Sequence, residues 1–214
     1  MTQRSMLIAL RVFFGVLALA AIGKQFSVQA QMGFSIVNFF SYFTNLSNIF
    51  AAIVLIWGAF QLMTHRQPSP STDLLRGMAV VNMAIVGIVF SALLRDVDMG
   101  YLLPWVNTVL HYIMPIVVVL EWLFQPPTTK LGVKHLLWCQ VFPLLYLVYT
   151  LTRGAIVGWY PYPFLTPANV GGYSGVAAYA VGIIIVFVLA AGLLFTLGNR
   201  LNKKVRVASS SSPS

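Results

Sequence analysis

The chain has 214 residues, 59% of them hydrophobic and 8% charged, with a mean hydropathy of +0.85. A soluble domain carries about 25% charged residues, so a water-soluble catalytic domain is excluded, and repeated apolar runs approaching the roughly 20 residues of a bilayer span point to a single all-α membrane bundle. The net charge of +9 is dispersed over termini and loops, which argues against a nucleic-acid partner, and the lone Cys139 cannot form an internal disulfide.

The pattern predicts six transmembrane helices at 6–26, 36–63, 77–94, 101–124, 133–152 and 173–198, forming one domain over 1–206. Segments three and five are short for a core of about 30 Å and are expected to be tilted or partly buried in protein. The inner segments carry Arg4, Arg66, Arg76, Lys130, Lys134, Arg200, Lys203, Lys204 and Arg206, the outer ones Lys24, Arg95 and Arg153. This asymmetry places both termini on the cytoplasmic side.

In the first segment, Arg4, the apolar run and Val28-Gln29-Ala30 imitate a secretory leader. Arg11 interrupts that run, so an uncleaved first helix is expected, with Arg11 snorkelling to the inner surface.

The second segment holds Ser41, Thr44, Asn45 and Asn48 at helical i, i+3, i+4 and i+7 spacing, one polar stripe. Interhelical hydrogen bonding and a polar cavity both account for it. The link from His65 to Arg76, with Pro68 and Pro70, reads as a polar turn.

Arg95, Asp96 and Asp98 follow the third segment as a solvated charge cluster, in which Arg95 is also placed to attract a lipid carboxylate. The fourth segment carries Trp105, Asn107, Thr108, His111 and Pro115, with Asn107, Thr108 and His111 on one face. An intramembrane histidine is a candidate functional group. Glu121, near the inner end, reads as an interfacial charge. After the fifth segment comes Gly158-Trp159-Tyr160-Pro161-Tyr162-Pro163-Phe164, an aromatic belt or a lid over a cavity. The last residues, 207–214, read as a disordered cytoplasmic tail.

The two polar stripes match in depth. Both helices run from outside to inside, and at ~1.5 Å per residue Thr44 and His111 fall roughly 12 to 15 Å below the outer boundary. A hydroxyl and an imidazole at one level suit a nucleophile and its general base, with Asn107, Asn45 or Asn48 orienting the imidazole or donating to an oxyanion. No carboxylate lies nearby for a third member. His65, His111 and His135 fall at different depths, so no metal site is expected, and nothing calls for an organic cofactor.

These residues resemble the androgen-induced family of six-helix membrane proteins. The likeness rests on Tyr42-Phe43-Thr44, on Trp105-x-Asn107-x-x-x-His111 with Glu121 ten residues on, and on the Trp159–Phe164 loop. Its order of patches follows the family's, while Asn45 stands where animal relatives carry an apolar residue and Pro115 is displaced by one. The resemblance implies a Thr/His hydrolase of fatty acid esters of hydroxy fatty acids, with Thr44 as nucleophile and His111 as base. The compact chain, with no evident eukaryotic sorting signal, points to a bacterial branch in the inner (cytoplasmic) membrane, with a bilayer lipid or fatty-acyl ester as the expected substrate. Ser41, Asn45, Asn48, Asn107, Arg95, Trp159 and Tyr162 are then the supporting or substrate-binding residues. The rival expectation is a non-enzymatic lipid-binding or transport protein whose polar groups hold a head group.

Overall fold

The computed structural model describes residues 2–98 and 100–210, the side chains of 204–210 excepted. Among them every regular element is helical. In chain order these are α1 (Gln3–Gln31), α2 (Ile36–Phe40), α3 (Phe43–Met63), α4 (Pro70–Val89) continued by a π-helical turn (Phe90–Leu94), α5 (Pro104–Thr108), a second π-helical turn (Val109–Ile113), α6 (Met114–Phe124), α7 (Val133–Val157), two short 3-10 turns (Pro163–Leu165 and Pro167–Asn169) and α8 (Tyr173–Ser210). Taking each π turn with its flanking helices, six helices are long and apolar enough to cross a membrane. Phe13, Phe124, Ile156 and Leu189 stand exposed on different faces of the bundle, as side chains do when lipid rather than water surrounds them.

The helix ends follow from local chemistry. Ser69 caps α4, its hydroxyl accepting from the Thr72 N–H at 3.2 Å, and Pro70 takes the first turn, where its missing N–H costs nothing. The expected polar link is thus half helix, and the third span lengthens to Pro70–Leu94. Gly158 closes α7 in the left-handed region at φ 68°. Spans three and five, expected to be short, are each 25 residues long. The polar residues that made them look short are absorbed by partners: Arg153 in α7, for example, donates to Asn38 Oδ1 at 2.7 Å. The last helix runs to Ser210, past the expected start of the tail at 207, and 211–214 lie outside the described residues.

Two expectations for charged groups are corrected. Arg11 does not snorkel and Glu121 is not interfacial: both are buried and bonded to each other. Arg11 Nε donates to Glu121 Oε1 at 2.9 Å and Nη1 to the Gly58 carbonyl at 3.0 Å, while Nη2 reaches both Glu121 and Gln125. A Cβ on Gly58 would stand 2.9 Å from Arg11 Nη1, so the glycine makes room for the guanidinium. Arg76, also buried, donates to Glu121 at 3.0 Å. The position of Arg11, only about two turns into the first helix, suggested a route to water that helices α3 and α6 close off.

α1 lies along α3, and α4, the most enclosed helix, packs against α3, α6 and α8. The α4–α6 approach is close because residue 87 is glycine: a Cβ there would meet Pro115 Cβ at 3.1 Å. α7 is the least enclosed span. It is held at its outer half by Tyr146, whose hydroxyl donates to the Ser41 carbonyl at 2.8 Å, and by Tyr149, whose hydroxyl lies 2.9 Å from Ser41 Oγ.

Candidate functional site

Segment two is not the continuous helix that the stripe of Ser41, Thr44, Asn45 and Asn48 implied. α2 ends at Phe40, Tyr42 is extended (φ −79°, ψ 125°), and α3 begins at Phe43. Ser41 therefore faces α7 as the end cap of α2, whereas Thr44 occupies the first turn of α3, where backbone N–H groups lack helical partners. The Thr44 N–H donates instead to the Tyr162 hydroxyl at 3.3 Å. Depth counted at one rise per residue does not hold across this break.

A side chain supplies the level matching instead. Asn48 Nδ2 donates to the Thr44 carbonyl at 2.9 Å and to the Leu110 carbonyl at 3.2 Å. One amide therefore clips the first turn of α3 to the residue before His111. Asn45 Nδ2 donates to the Phe39 carbonyl at 2.8 Å, tying α2 back over α3.

His111 sits in the middle of the second π-helical turn. Pro115 creates that turn: it has no N–H to return to the His111 carbonyl, and the Met114 N–H reaches Val109, five residues back. His111 Nδ1 lies 3.2 Å from the Asn107 carbonyl, and beside a carbonyl a neutral imidazole carries its proton on that nitrogen. Nε2 then keeps the lone pair. The imidazole stacks on Phe90 of the first π turn, centroids 4.0 Å apart and planes at 24°.

Thr44 opens on a cavity of about 90 Å³ bounded by α3, α4, α7, α8 and the loop before α8. Phe43, Phe90, Leu94, Leu147, Phe164 and Phe187 supply much of its wall, and Thr44, Gln140, Tyr146 and Tyr162 are its polar members. Leu144, on this wall, is 44% exposed on the outside of the bundle, so the cavity reaches the lipid-facing surface beside α7.

Tyr162 comes from the aromatic-proline loop, which folds inward: its ring is stacked on Phe164 at 5.2 Å, and burial pushes the phenol up to about 12. Trp159 packs edge-on to Tyr42 at 5.7 Å, with the Arg153 guanidinium over its ring at 5.3 Å. The loop is thus a cover for the cavity as well as an aromatic element at the outer surface.

The structure brings Thr44, Asn48 and Tyr162 together, and places Asn107 with His111. The Thr44 hydroxyl and the imidazole are not hydrogen-bonded to each other. His111 stands behind Phe90, which lines the cavity while His111 does not. Arg95 lies apart, 65% exposed and 3.7 Å from Asp96. Phe90, Gln140 and Tyr146 were missed as site residues. An apolar or amide side chain inside an apolar run carries no signal of facing a cavity until helix packing is known. No known protein family, curated protein or solved structure matches the chain.

Proposed function

We propose that this protein is an intramembrane lipid-ester hydrolase, a bacterial member of the androgen-induced family in the cytoplasmic membrane, with Thr44 as nucleophile and His111 as general base. The observation that carries this reading is the Thr44 hydroxyl at the wall of an apolar, lipid-reaching cavity, one amide clip away from the π turn that holds His111. An acyl ester reaches such a site laterally from the bilayer, while the surrounding helices restrict water.

In this reading the Phe90 ring swings aside as substrate enters, and His111 Nε2 takes the Thr44 proton while Oγ1 attacks the ester carbonyl carbon. Tyr162, whose hydroxyl oxygen accepts from the Thr44 N–H, keeps its own proton at neutral pH and donates it as a hydrogen bond to the developing oxyanion. The imidazolium then protonates the departing alkoxide, releasing an alcohol. Water, deprotonated by the same nitrogen, attacks the acyl-threonine, and the imidazolium returns that proton to Thr44 Oγ1 as the bond to the acyl group breaks and the fatty acid is released. Asn107 orients the base through its carbonyl.

The second reading, a non-enzymatic lipid-binding or transport protein, draws on the absence of a Thr44–His111 hydrogen bond. Hydrolysis of branched fatty acid esters in liposomes, by wild type, Thr44→Ala and His111→Ala of checked fold, separates the two. We expect turnover to fall by about 10²- to 10⁴-fold in both variants. Equal turnover in all three sinks the dyad. Lipid binding without turnover in any of them favours the transport reading.

A further inference from the structure

A groove at the inner end of the bundle shares no residue with the Thr44 cavity. It measures about 300 Å³ and is lined by Lys130, from the loop between α6 and α7, and by Arg200 and Lys203 of α8, with Thr128, Asn199 and Asn202 beside them. Its walls are fixed by the protein itself. Asn199 Oδ1 accepts from the Leu131 N–H at 3.0 Å, Asn199 Nδ2 donates to the Leu131 carbonyl at 2.7 Å, and Asn202 Nδ2 donates to the Thr128 carbonyl at 3.1 Å. The loop is thereby strapped to α8, which holds Lys130 on the same groove as the two α8 cations.

No carboxylate side chain answers these three charges. The sequence has only four. Glu121 serves Arg11 and Arg76, and Asp73 takes the Thr128 hydroxyl and the Thr129 N–H. Asp96 lies beside Arg95 and Asp98 accepts from the Gly100 N–H, both on the outer loop. Lys130, Arg200 and Lys203 form no ion pair among the described residues. Orientation by positive charge accounts for cations along the inner face, yet Arg66 and Lys134 of that face stay outside the groove. Three like charges on one groove repel one another until an anion joins them.

The form of the anion follows from α8. Leu189, Leu193, Thr196, Arg200 and Lys203 recur at spacings of four, three, four and three, so they make one stripe along the helix. Leu189 and Leu193 are 67% and 61% exposed and line an apolar groove of about 570 Å³ between α4, α6 and α8. Thr196, Arg200 and Lys203 line the basic one. Over the roughly 10 Å from Leu193 to Arg200, the stripe passes from a surface that suits an acyl chain to one that suits a phosphate. A free phosphate uses only the second half, and a zwitterionic headgroup brings an ammonium that the three cations repel.

We propose that the inner end of α8 binds one anionic phospholipid, its phosphodiester among Lys130, Arg200 and Lys203 and one acyl chain along Leu193 and Leu189. The site is independent of ester cleavage at Thr44.

The test is native mass spectrometry of the delipidated full chain in detergent, titrated with dioleoylphosphatidylglycerol or dioleoylphosphatidylcholine. The buffer is kept at about 0.15 M ionic strength, so that charges more than about 8 Å from the phosphate are screened. Wild type should retain one phosphatidylglycerol per chain, about tenfold or more tighter than phosphatidylcholine. Lys130→Gln with Arg200→Gln should weaken phosphatidylglycerol by about ten- to thirtyfold, the effect of two cations beside a lipid phosphate. Arg66→Gln with Lys134→Gln removes the same charge from the same face and should stay within about twofold of wild type. All these side chains are exposed, so the fold should persist, as the detergent unfolding midpoint checks; Lys203→Gln with Arg200→Gln gives the same readout should the first pair fold poorly. Equal binding of the two lipids by wild type, or equal losses in the groove and control variants, would overturn the inference. Displacement of the lipid by inorganic phosphate at matching concentration would overturn the acyl-chain half and leave an anion site.

Discussion

Polar groups gather at two places in this apolar bundle, and they are treated in opposite ways. Toward the inner end, Arg11, Arg76, Glu121 and Asp73 are all buried, with two charges of each sign. Most of their hydrogen-bonding capacity is used internally: Glu121 serves both arginines, and Asp73 Oδ2 takes the Thr128 hydroxyl at 2.8 Å and the Thr129 N–H at 2.7 Å. Around the outer cavity the groups are neutral. Asn48 Nδ2 is tied to two backbone carbonyls, while Asn48 Oδ1, Asn107 Oδ1 and Gln140 Nε2 have no hydrogen-bond partner among the described residues, and among the buried atoms of the inner cluster the same holds for Asp73 Oδ1 and Arg76 Nε alone. Charges that answer one another hold helices together, whereas the neutral polar residues on the cavity wall, Thr44, Gln140, Tyr146 and Tyr162, are suited to a ligand.

That contrast breaks first on Glu121→Ala, which carries the largest expected effect. The substitution leaves two buried guanidiniums without their shared carboxylate, a loss of about 3–5 kcal/mol. It should appear as a marked drop in the detergent unfolding midpoint or as failure to accumulate in the membrane. Thr44→Ala, by comparison, should leave the unfolding midpoint close to wild type while abolishing turnover. Glu121→Ala with unchanged stability would show that the inner cluster is not a structural lock and would reopen it as a site.

Gly87 tests whether the two regions are mechanically separate. Its neighbour Pro115 lies one turn after His111, and Phe90 lies one turn after Gly87, so a Cβ at 3.1 Å from the Pro115 ring presses on the helix pair that carries the stacked rings. Gly87→Ala should be less stable than Gly23→Ala by roughly 1–3 kcal/mol, since a Cβ at Gly23 meets nothing within 4 Å. Turnover should fall in the first variant only. A Gly87→Ala protein as stable as the Gly23→Ala control would mean that α4 and α6 have slack and that the Phe90–His111 stack is not set by their approach.

Composition and hydropathy were enough for the all-α six-helix architecture, because a bilayer leaves few ways to satisfy a backbone and 20-residue runs are hard to mistake. Span ends were less legible. Arg76 and Arg153 read as loop residues until their partners Glu121 and Asn38 were in place, and such partners come from helices far away in the chain. The break at Ser41–Tyr42 was also hidden, since Phe, Ser, Tyr and Phe give no Gly or Pro signal. Thr44, Asn48, Tyr162 and His111 could be singled out as polar or ionisable groups in apolar surroundings. Phe90 and Gln140 could not, because their significance lies in which face of the bundle they meet.

The smallest expected effect is also the one that most sharpens the outer region. Tyr162→Phe removes a single oxygen from a ring that otherwise stays stacked on Phe164. Its fold should persist, because the lost bond to the Thr44 N–H is one neutral hydrogen bond, about 1 kcal/mol. If the phenol only caps α3, the unfolding midpoint shifts by that amount, and turnover and lipid binding do not change. If it also serves the oxyanion, turnover falls by ten- to a hundredfold while substrate binding holds, since the interaction strengthens only as charge develops on the ester oxygen. A phenol is better suited to that work than a second imidazole or a carboxyl here, because burial holds its proton to about pH 12, and the donor remains present across the whole physiological range.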